Sequence, residues 1–131
     1  MSKLRFDGYY YHLKKNIIKN VSYNYILRFF EKNNKVIGVT FSPQKDDIIV
    51  GFGDFFPSGN WFNENYENNG NFNISGDQIS FKCGEVLYNG TIINQDKLKL
   101  FSHSNINGHE ETKEYKFISF DALNDIKTSE N

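Results

Sequence analysis

The chain has 131 residues, with 15 Lys and Arg against 16 Asp and Glu, and 17% of its residues are aromatic. This length fits a single domain, which we place over residues 1–120, followed by a short polar tail over residues 121–131 that we expect to be frayed or helical. The net charge of −1 argues against partners bound through phosphate neutralisation, so we expect neither a nucleic acid nor an anionic membrane surface.

Three sequence features indicate a protein of the reducing cytoplasm. No window holds the roughly 18 apolar residues of a membrane span. The N-terminus is charged at Lys3 and Arg5 and runs into Tyr9 rather than into an apolar segment, which predicts no signal peptide. Cys83 is the only cysteine, so the sequence offers no disulfide framework.

The clearest local pattern is a β-hairpin over residues 70–83. Apolar and polar residues alternate on both sides of Gly76-Asp77, a pair that supplies the backbone geometry of a two-residue turn. Closing the hairpin there places four apolar side chains on one face, pairing Phe72 with Phe81 and Ile74 with Ile79. A slip of one residue would scatter them, so pattern and turn chemistry predict the same register.

Further tight turns continue this meander. A three-residue loop at residues 94–96 places Ile92 opposite Leu98. Asn107-Gly108 is the strongest short hairpin signal of the chain. Closing on it pairs Leu100 with Tyr115 and Leu98 with Phe117, and leaves Lys99 opposite Lys116.

The register of the second turn, near Asn33-Asn34, is ambiguous. A two-residue loop would place Arg28 opposite Val39 on a face that is otherwise apolar. Counting Lys35 into the loop instead aligns Leu27 with Phe41 and Phe29 with Val39, and it sends Arg28 to the other face. We prefer the second register because an unpaired charge among apolar side chains is costly.

The meander is interrupted between residues 42 and 69. Ser42-Pro43 is a typical helix start and predicts a short helix that ends near Val50. An aromatic segment without strand or helix periodicity follows, and it can act as a lid, as an interface, or as a plug at one end of a core. Its candidate residues are Phe52, Phe55, Phe56, Trp61, Phe62 and Tyr66.

Eight strands result, at residues 5–13, 22–32, 36–41, 70–75, 78–83, 86–93, 97–103 and 110–120. So many antiparallel strands joined by tight turns tend to curl and close, which removes exposed edges. The predicted fold is therefore all-β, an antiparallel up-and-down eight-stranded β-barrel with one short helix and a long loop between strands 3 and 4.

Gly8-Tyr9-Tyr10 lies on the first of these strands, where lipocalins carry a Gly-x-Trp signature. Over residues 4–120 the chain resembles the calycin group of lipocalin-like eight-stranded barrels. Because Tyr10 stands in place of the Trp, the resemblance is to a separate lipocalin-like family rather than to the lipocalins proper.

No pattern indicates an enzyme. His12, His103 and His109 do not converge on one side of the predicted sheet as metal ligands must, since His103 pairs with Thr112 on the outer face. No nucleophile, Walker or zinc-protease motif is present, and Cys83 has no neighbour that would activate its thiol. We therefore expect no catalytic residues, no metal and no cofactor.

The barrel interior is the remaining candidate site. Small residues at Gly90 and Ser102 beside aromatic ones fit a pocket for a small apolar or aromatic ligand, and they fit a solid core equally well. The candidate ligand-binding residues are Phe72, Phe81, Tyr88, Leu100, Ser102, Tyr115 and Phe117. The main hypothesis is non-catalytic binding of such a ligand under a lid formed by the aromatic segment. The alternative is an inhibitor-type or immunity-type module that uses the aromatic segment to bind a protein partner.

Overall fold

The computed structural model describes residues 4–16, 18, 21–43 and 51–129. Each strand pairs antiparallel with its successor, and β8 pairs with β1, so that the sheet forms a closed barrel. The strands are β1 (Gly8–Asn16), β2 (Val21–Phe30), β3 (Lys35–Phe41), β4 (Asn69–Ser75), β5 (Gln78–Cys83), β6 (Val86–Asn94), β7 (Lys97–Ser104) and β8 (Glu110–Ser119). The described residues also form two short 3-10 turns, Lys32–Asn34 and Phe52–Phe55, and one helix, α1 (Phe120–Ser129). The predicted all-β, up-and-down, eight-stranded barrel is confirmed.

The central hairpins have the predicted registers. Phe72 lies opposite Phe81, and Ile74 lies opposite Ile79, across a turn in which Gly76 has a φ of 61°. Ile92 lies opposite Leu98 as expected. The predicted three-residue loop at residues 94–96 is wrong in detail, because Asn94 pairs with Lys97 and an irregularity between Ile92 and Asn94 restores the expected pair.

The register between β2 and β3 differs from both predicted alternatives. Arg28 lies opposite Ile37, and Phe29 lies opposite Val36. The connection includes the 3-10 turn Lys32–Asn34, where Asn33 and Asn34 both have positive φ, so the loop is longer than either prediction assumed. Arg28 faces the outside of the barrel, on the side opposite Phe29.

The register between β7 and β8 is shifted by two residues from the prediction. Leu98 lies opposite Tyr115, and Leu100 lies opposite Lys113. The loop contains four residues rather than two, since the N–H of Ser104 donates to the carbonyl of His109. Because the shift is even, Tyr115 stays on the inner face. The predicted pairs of Lys99 with Lys116 and of His103 with Thr112 are wrong, and the structure has Lys99 opposite Glu114 and His103 opposite Glu110.

Two apolar cores lie on the two sides of the sheet. The inner core lies inside the barrel, and its buried residues include Tyr10, Leu27, Phe29, Phe72, Ile79, Phe81, Ile92, Leu98, Leu100 and Tyr115. The outer core lies against β1, β2, β3 and β8, where residues 51–66 and α1 cover the wall. Its buried residues are Tyr9, Ile26, Ile37, Phe56, Phe62, Ile118 and Leu123.

Only the first two residues of the predicted short helix lie within the described part of the chain. Ser42 and Pro43 are not helical, and the Ser42 hydroxyl donates to the carbonyl of Ser22. The rest of the predicted helix, residues 44–50, lies outside the described residues. Among the described residues the α-helix is α1, which lies in the tail expected to be frayed or helical and packs Leu123 onto the outer wall.

Candidate functional site

One end of the barrel, where β1 begins, is closed by the N-terminal segment, and we call it the plugged end. Leu4 is buried there in the inner core. Tyr10 is completely buried, its hydroxyl donates to the carbonyl of Gln95 at 2.8 Å, and it accepts the N–H of Arg5 at 3.0 Å. The Arg5 guanidinium lies 4.2 Å from the centre of the Phe117 ring. Burial raises the pKa of Tyr10 to about 12, so its hydroxyl stays neutral and hydrogen-bonded at this end.

Aromatic rings form the wall of the middle of the barrel. The ring of Phe29 meets those of Phe72 and Phe81 edge-on, with centroids 5.4 and 5.5 Å apart. On the other side, Phe81 stacks on Tyr88 at 4.7 Å. Offset and edge-on contacts of this kind stabilise a core beyond the area they bury.

Three tyrosines, Tyr25, Tyr88 and Tyr115, bring hydroxyl groups to the inner face, and we call them the inner tyrosine cluster. Within the part of the chain that the structure describes, none of the three hydroxyls makes a hydrogen bond. Burial raises the pKa of Tyr88 to about 12 and that of Tyr115 well above its ordinary value. The negative charge that Tyr88 and Tyr25 would carry adds to the effect on Tyr115, which indicates that the hydroxyls lie near one another.

Lys14, Glu111 and Lys113 form an inner charge cluster at the end of the barrel where β8 begins, which we call the polar end. Lys113 is 8% exposed, and its Nζ lies 2.6 Å from Glu111 Oε2 and 4.3 Å from the centre of the Tyr25 ring. Lys14 Nζ contacts the other carboxylate oxygen of Glu111. Burial opposes ionisation of Glu111, but the hydrogen bonds and charges of the two lysines outweigh it and lower its pKa to about 2. The cluster therefore holds two ammonium groups against one carboxylate.

The seam between β1 and β8 is only partly closed by backbone hydrogen bonds. The paired residues run from Gly8 to Tyr11 on β1, although both strands continue beyond them. Past that point His12 Nδ1 donates to the carbonyl of Glu114 at 2.9 Å, and the pair of Lys14 with Glu111 bridges the two strands. A surface groove of about 430 Å³ lies over this seam, lined by Tyr11, His12, Leu13, Phe52, Glu114 and Lys116.

The structure brings all the predicted ligand-binding residues to one inner face. Phe72, Phe81, Leu100 and Tyr115 are buried in the inner core, and Tyr88 and Phe117 pack against it. Ser102 is buried, and its hydroxyl donates to the carbonyl of Glu111 at 3.3 Å. That these residues bind a ligand stays a prediction.

Sequence analysis missed Lys14, Tyr25, Glu111 and Lys113 as inner residues. The signal was present on β8, because strict alternation backwards from Phe117 and Tyr115 assigns Lys113 and Glu111 to the same face. Their charge made an inner position look unfavourable, and only the surrounding structure shows that each charge has a partner.

Gly90 lies on the inner face as expected, but it does not open space. A Cβ added there would overlap the carbonyl oxygen of Lys99 on β7. The glycine therefore allows close approach of two backbones at a bend of the barrel, which was one of the two interpretations of this residue.

The aromatic segment of residues 51–66 lies on the outer wall. Phe56 and Phe62 are 1% and 2% exposed, and both contact the ring of Tyr9. Phe52, Phe55 and Tyr66 are half-buried in the outer core. Trp61 differs, because it is 43% exposed while it stacks on Phe41. This packing favours a structural role for the segment, and its roles as lid or interface stay predictions.

The two histidines near the β7–β8 turn face carboxylates, and the cysteine is buried. His103 lies 3.0 Å from Glu110, and His109 lies 3.6 Å from Glu111. Among the described residues no group of three or more His, Cys, Asp and Glu side chains is placed to hold a metal. Burial raises the pKa of the Cys83 thiol to about 12, which keeps it protonated and unreactive.

Within residues 4–16, 18, 21–43 and 51–129, no helix is long and apolar enough to cross a membrane. No protein-family model matches the chain, and no curated protein or solved structure matches it either.

Proposed function

We propose that the barrel interior binds a small, mostly apolar or aromatic molecule that carries one hydrogen-bonding group. The observation that carries this proposal is the inner tyrosine cluster, whose hydroxyls make no hydrogen bond to the described residues. The fully buried side-chain polar atoms without a partner among the described residues are Asn24 Oδ1 and Arg28 Nε, so the tyrosine hydroxyls are reached by solvent. A ligand with a hydrogen-bonding group can take the place of that water, and convergent polar groups of this kind orient a ligand in an apolar site.

The surroundings of the cluster support an apolar ligand body. Phe81 and Leu100 line the same face, and ligand sites are typically apolar walls with a few convergent polar groups. Tyr25, Tyr88 and Glu111 are partly exposed although they face inward. We propose that a small molecule enters through the polar end or the β1–β8 seam, where the two strands are paired only from Gly8 to Tyr11 on β1.

We also propose that the chain is related to the lipocalins. The closed, eight-stranded, up-and-down barrel is consistent with a calycin-like fold. Gly8-Tyr9-Tyr10 starts β1, and Tyr10 is the buried aromatic residue of the plugged end. We propose that the chain is a lipocalin-like barrel in which Tyr10 takes the place of the signature tryptophan.

Titration with 1-naphthol, an aromatic probe with one hydroxyl, tests the proposal by calorimetry. We expect saturable binding by the intact chain, weakened roughly 3- to 10-fold in Tyr115→Phe and in Tyr88→Phe, since each variant loses one hydrogen bond. Tyr66→Phe, which removes a hydroxyl from the outer wall, is the matched control and should bind like the unmodified chain. Native mass spectrometry of the purified protein would also report a retained molecule.

Two results would contradict interior binding. One is a folded protein that shows no heat of binding and retains no molecule. The other is equal affinity in Tyr115→Phe, Tyr88→Phe and Tyr66→Phe, which would place the probe elsewhere.

A second candidate function, binding of a protein partner, is favoured by Trp61 alone. This residue is the most exposed of the candidate aromatic residues, and it lies beside Phe41 and Tyr66. Exposed tryptophans often dominate interface energies. A photo-reactive benzoylphenylalanine in place of Trp61 should cross-link a discrete partner in cells, whereas the same group in place of Ile106, which is 79% exposed, should not. Equal labelling at both positions would count against this function.

A further inference from the structure

We propose that a groove on the outer wall, separate from the barrel interior, binds a small organic anion through Arg28 and Lys127. The groove has a volume of about 410 Å³ and lies between residues 57–59 and α1. Arg28 comes from β2 and faces the outside, and Lys127 comes from the last turn of α1. Two elements far apart in sequence thus bring two cations to one concave surface.

The lining of the groove is cationic, although the Glu64 carboxylate acts on the charge of Arg28 from outside this lining. Arg28 and Lys127 line the groove, no carboxylate is among its described lining residues, and neither cation belongs to an ion pair among the described residues. Lys127 Nζ donates instead to the carbonyls of Phe56 and Pro57 over the long distances of 3.4 and 3.2 Å. Neutral acceptors of this kind compensate an ammonium charge less than an anion would.

The guanidinium of Arg28 has unused hydrogen-bonding capacity. It lies between the rings of Phe30 and Phe120, 4.7 Å from each centre, and its Nη1 donates to the carbonyl of Phe62 at 3.0 Å. Its buried Nε has no partner among the described residues. Burial lowers the pKa of Arg28 because the charged form loses water, although the group stays protonated. An anion in the groove would offset this loss.

The other lining groups indicate the class of ligand. Tyr9, Ser58 and Asn124 offer hydroxyl and amide groups to an oxyanion, and Phe120 and Leu123 provide an apolar wall. The planar fork of an arginine matches both a carboxylate and a phosphate. The ligand is therefore a carboxylate or a phosphate ester joined to a compact apolar body.

Side-chain NMR tests this site directly, since the Nε–H of Arg28 gives its own nitrogen-proton signal. The probes are phenyl phosphate and benzoate as anions, inorganic phosphate as the bare oxyanion, and phenol as the neutral body. We expect phenyl phosphate or benzoate to shift the signals of Arg28 Nε and of the amides of Ser58 and Gly59, and phenol to leave them unchanged. A shift by phosphate alone at high concentration, without tighter binding of phenyl phosphate, would overturn the role of the apolar wall.

Lys127→Gln should weaken binding of the anionic probe about tenfold. Lys82→Gln removes the same charge from β5, away from the groove, and should have no effect on binding of the probe.

Asn124→Asp is a second, independent test of the groove. Asn124 is exposed, so the new carboxylate should repel the anionic probe without disturbing the fold. If Arg28 and Lys127 serve only to hold residues 56–62 on the barrel, Lys127→Gln will lower stability and leave the probe affinity unchanged, and the proposal is then wrong. Absence of any shift up to about 10 mM probe would also overturn it.

Discussion

Lys113 on β8 lies directly opposite Leu100 on β7, so a lysine side chain points into the barrel. It is accommodated there because Glu111 accepts its ammonium group and the Tyr25 ring lies beneath it. A buried charge is tolerated when it is paired and hydrogen-bonded. The interior thus changes from an apolar plug around Tyr10 to a polar end around Lys113.

The low pKa of Glu111 predicts a loss of stability in acid. The carboxyl has an ordinary value of 4.5 in the unfolded chain and about 2 in the folded barrel, so the unfolded state takes up the proton first. The contribution of Glu111 is complete above pH 4.5 and disappears as the pH falls through about 2. It amounts to at most about 3 kcal/mol. Urea denaturation measured between neutral pH and pH 2 should show this loss.

Glu111→Gln isolates the effect of that one carboxyl from the effects of the other acids. This variant should be destabilised at neutral pH, because Lys113 loses its counter-ion, and its deficit should shrink as the pH falls. Glu85→Gln, at the exposed β5–β6 turn, is the control and should follow the unmodified chain at every pH. A deficit of Glu111→Gln that does not depend on pH would contradict the paired carboxylate.

Disulfide trapping checks the register that brings Lys113 inside. The double variant Lys99→Cys with Glu114→Cys places two cysteines directly opposite one another, and they should oxidise readily to a disulfide. Lys99→Cys with Lys116→Cys represents the register predicted from the Asn107-Gly108 turn and gives a diagonal pair, which is too far apart to bridge without backbone movement. Mass spectrometry after mild oxidation distinguishes the two variants, and preferential bridging of the second would overturn the observed register.

The sequence predicts the strand register correctly where the turn residues and the apolar alternation agree. It predicts a wrong register where the loop is longer than the turn residues indicate. Gly76-Asp77 closes the hairpin that places Phe72 opposite Phe81, and both the turn and the apolar pattern point to that register. Asn33 and Asn34 both take positive φ inside a longer connection, which no local pattern reveals. The length of a loop determines which residues of the two strands pair. When several loop lengths keep the apolar residues on one face, a single sequence does not determine the register.

The sequence of β2 indicates that a second core must cover the outside of the barrel. On β2, Ile26 follows Tyr25 and precedes Leu27, so the strand is apolar on both faces. A strand that is apolar on both sides must be covered on both sides. The aromatic residues of 51–66 cover the outer face together with α1. The sequence of α1 is so polar that its hydrophobicity alone does not predict packing against the barrel wall. Which element covers the wall depends on tertiary packing, and the chain pattern does not specify it.

Gly90 and Gly38 offer a test of close backbone approach. Both lie on the inner face, but a Cβ at Gly90 would overlap a backbone carbonyl, whereas a Cβ at Gly38 would meet the side chains of Leu27 and Cys83 at 3.2 and 3.3 Å. Side chains can shift and a strand backbone cannot. We expect Gly90→Ala to lower the free energy of unfolding by about 3 kcal/mol and Gly38→Ala by about 1 kcal/mol. Urea denaturation of both variants gives the comparison, and a tolerant Gly90 would mean that the interior has room at this bend.

Phe56 and Trp61 distinguish a structural segment from a movable lid. Phe56 is 1% exposed and contacts the rings of Tyr9, Tyr11 and Phe52, so Phe56→Ala should cost about 3–5 kcal/mol of unfolding free energy. Trp61→Ala removes a ring that is 43% exposed, and it should cost about 1 kcal/mol. Urea denaturation at neutral pH measures both values. If Phe56→Ala were as mild as Trp61→Ala, the segment would contribute little to the outer core and would be free to move as a lid. A large cost for Phe56→Ala, together with unchanged 1-naphthol binding in Trp61→Ala, would instead show that residues 51–66 hold the wall in place and that ligand entry does not depend on them.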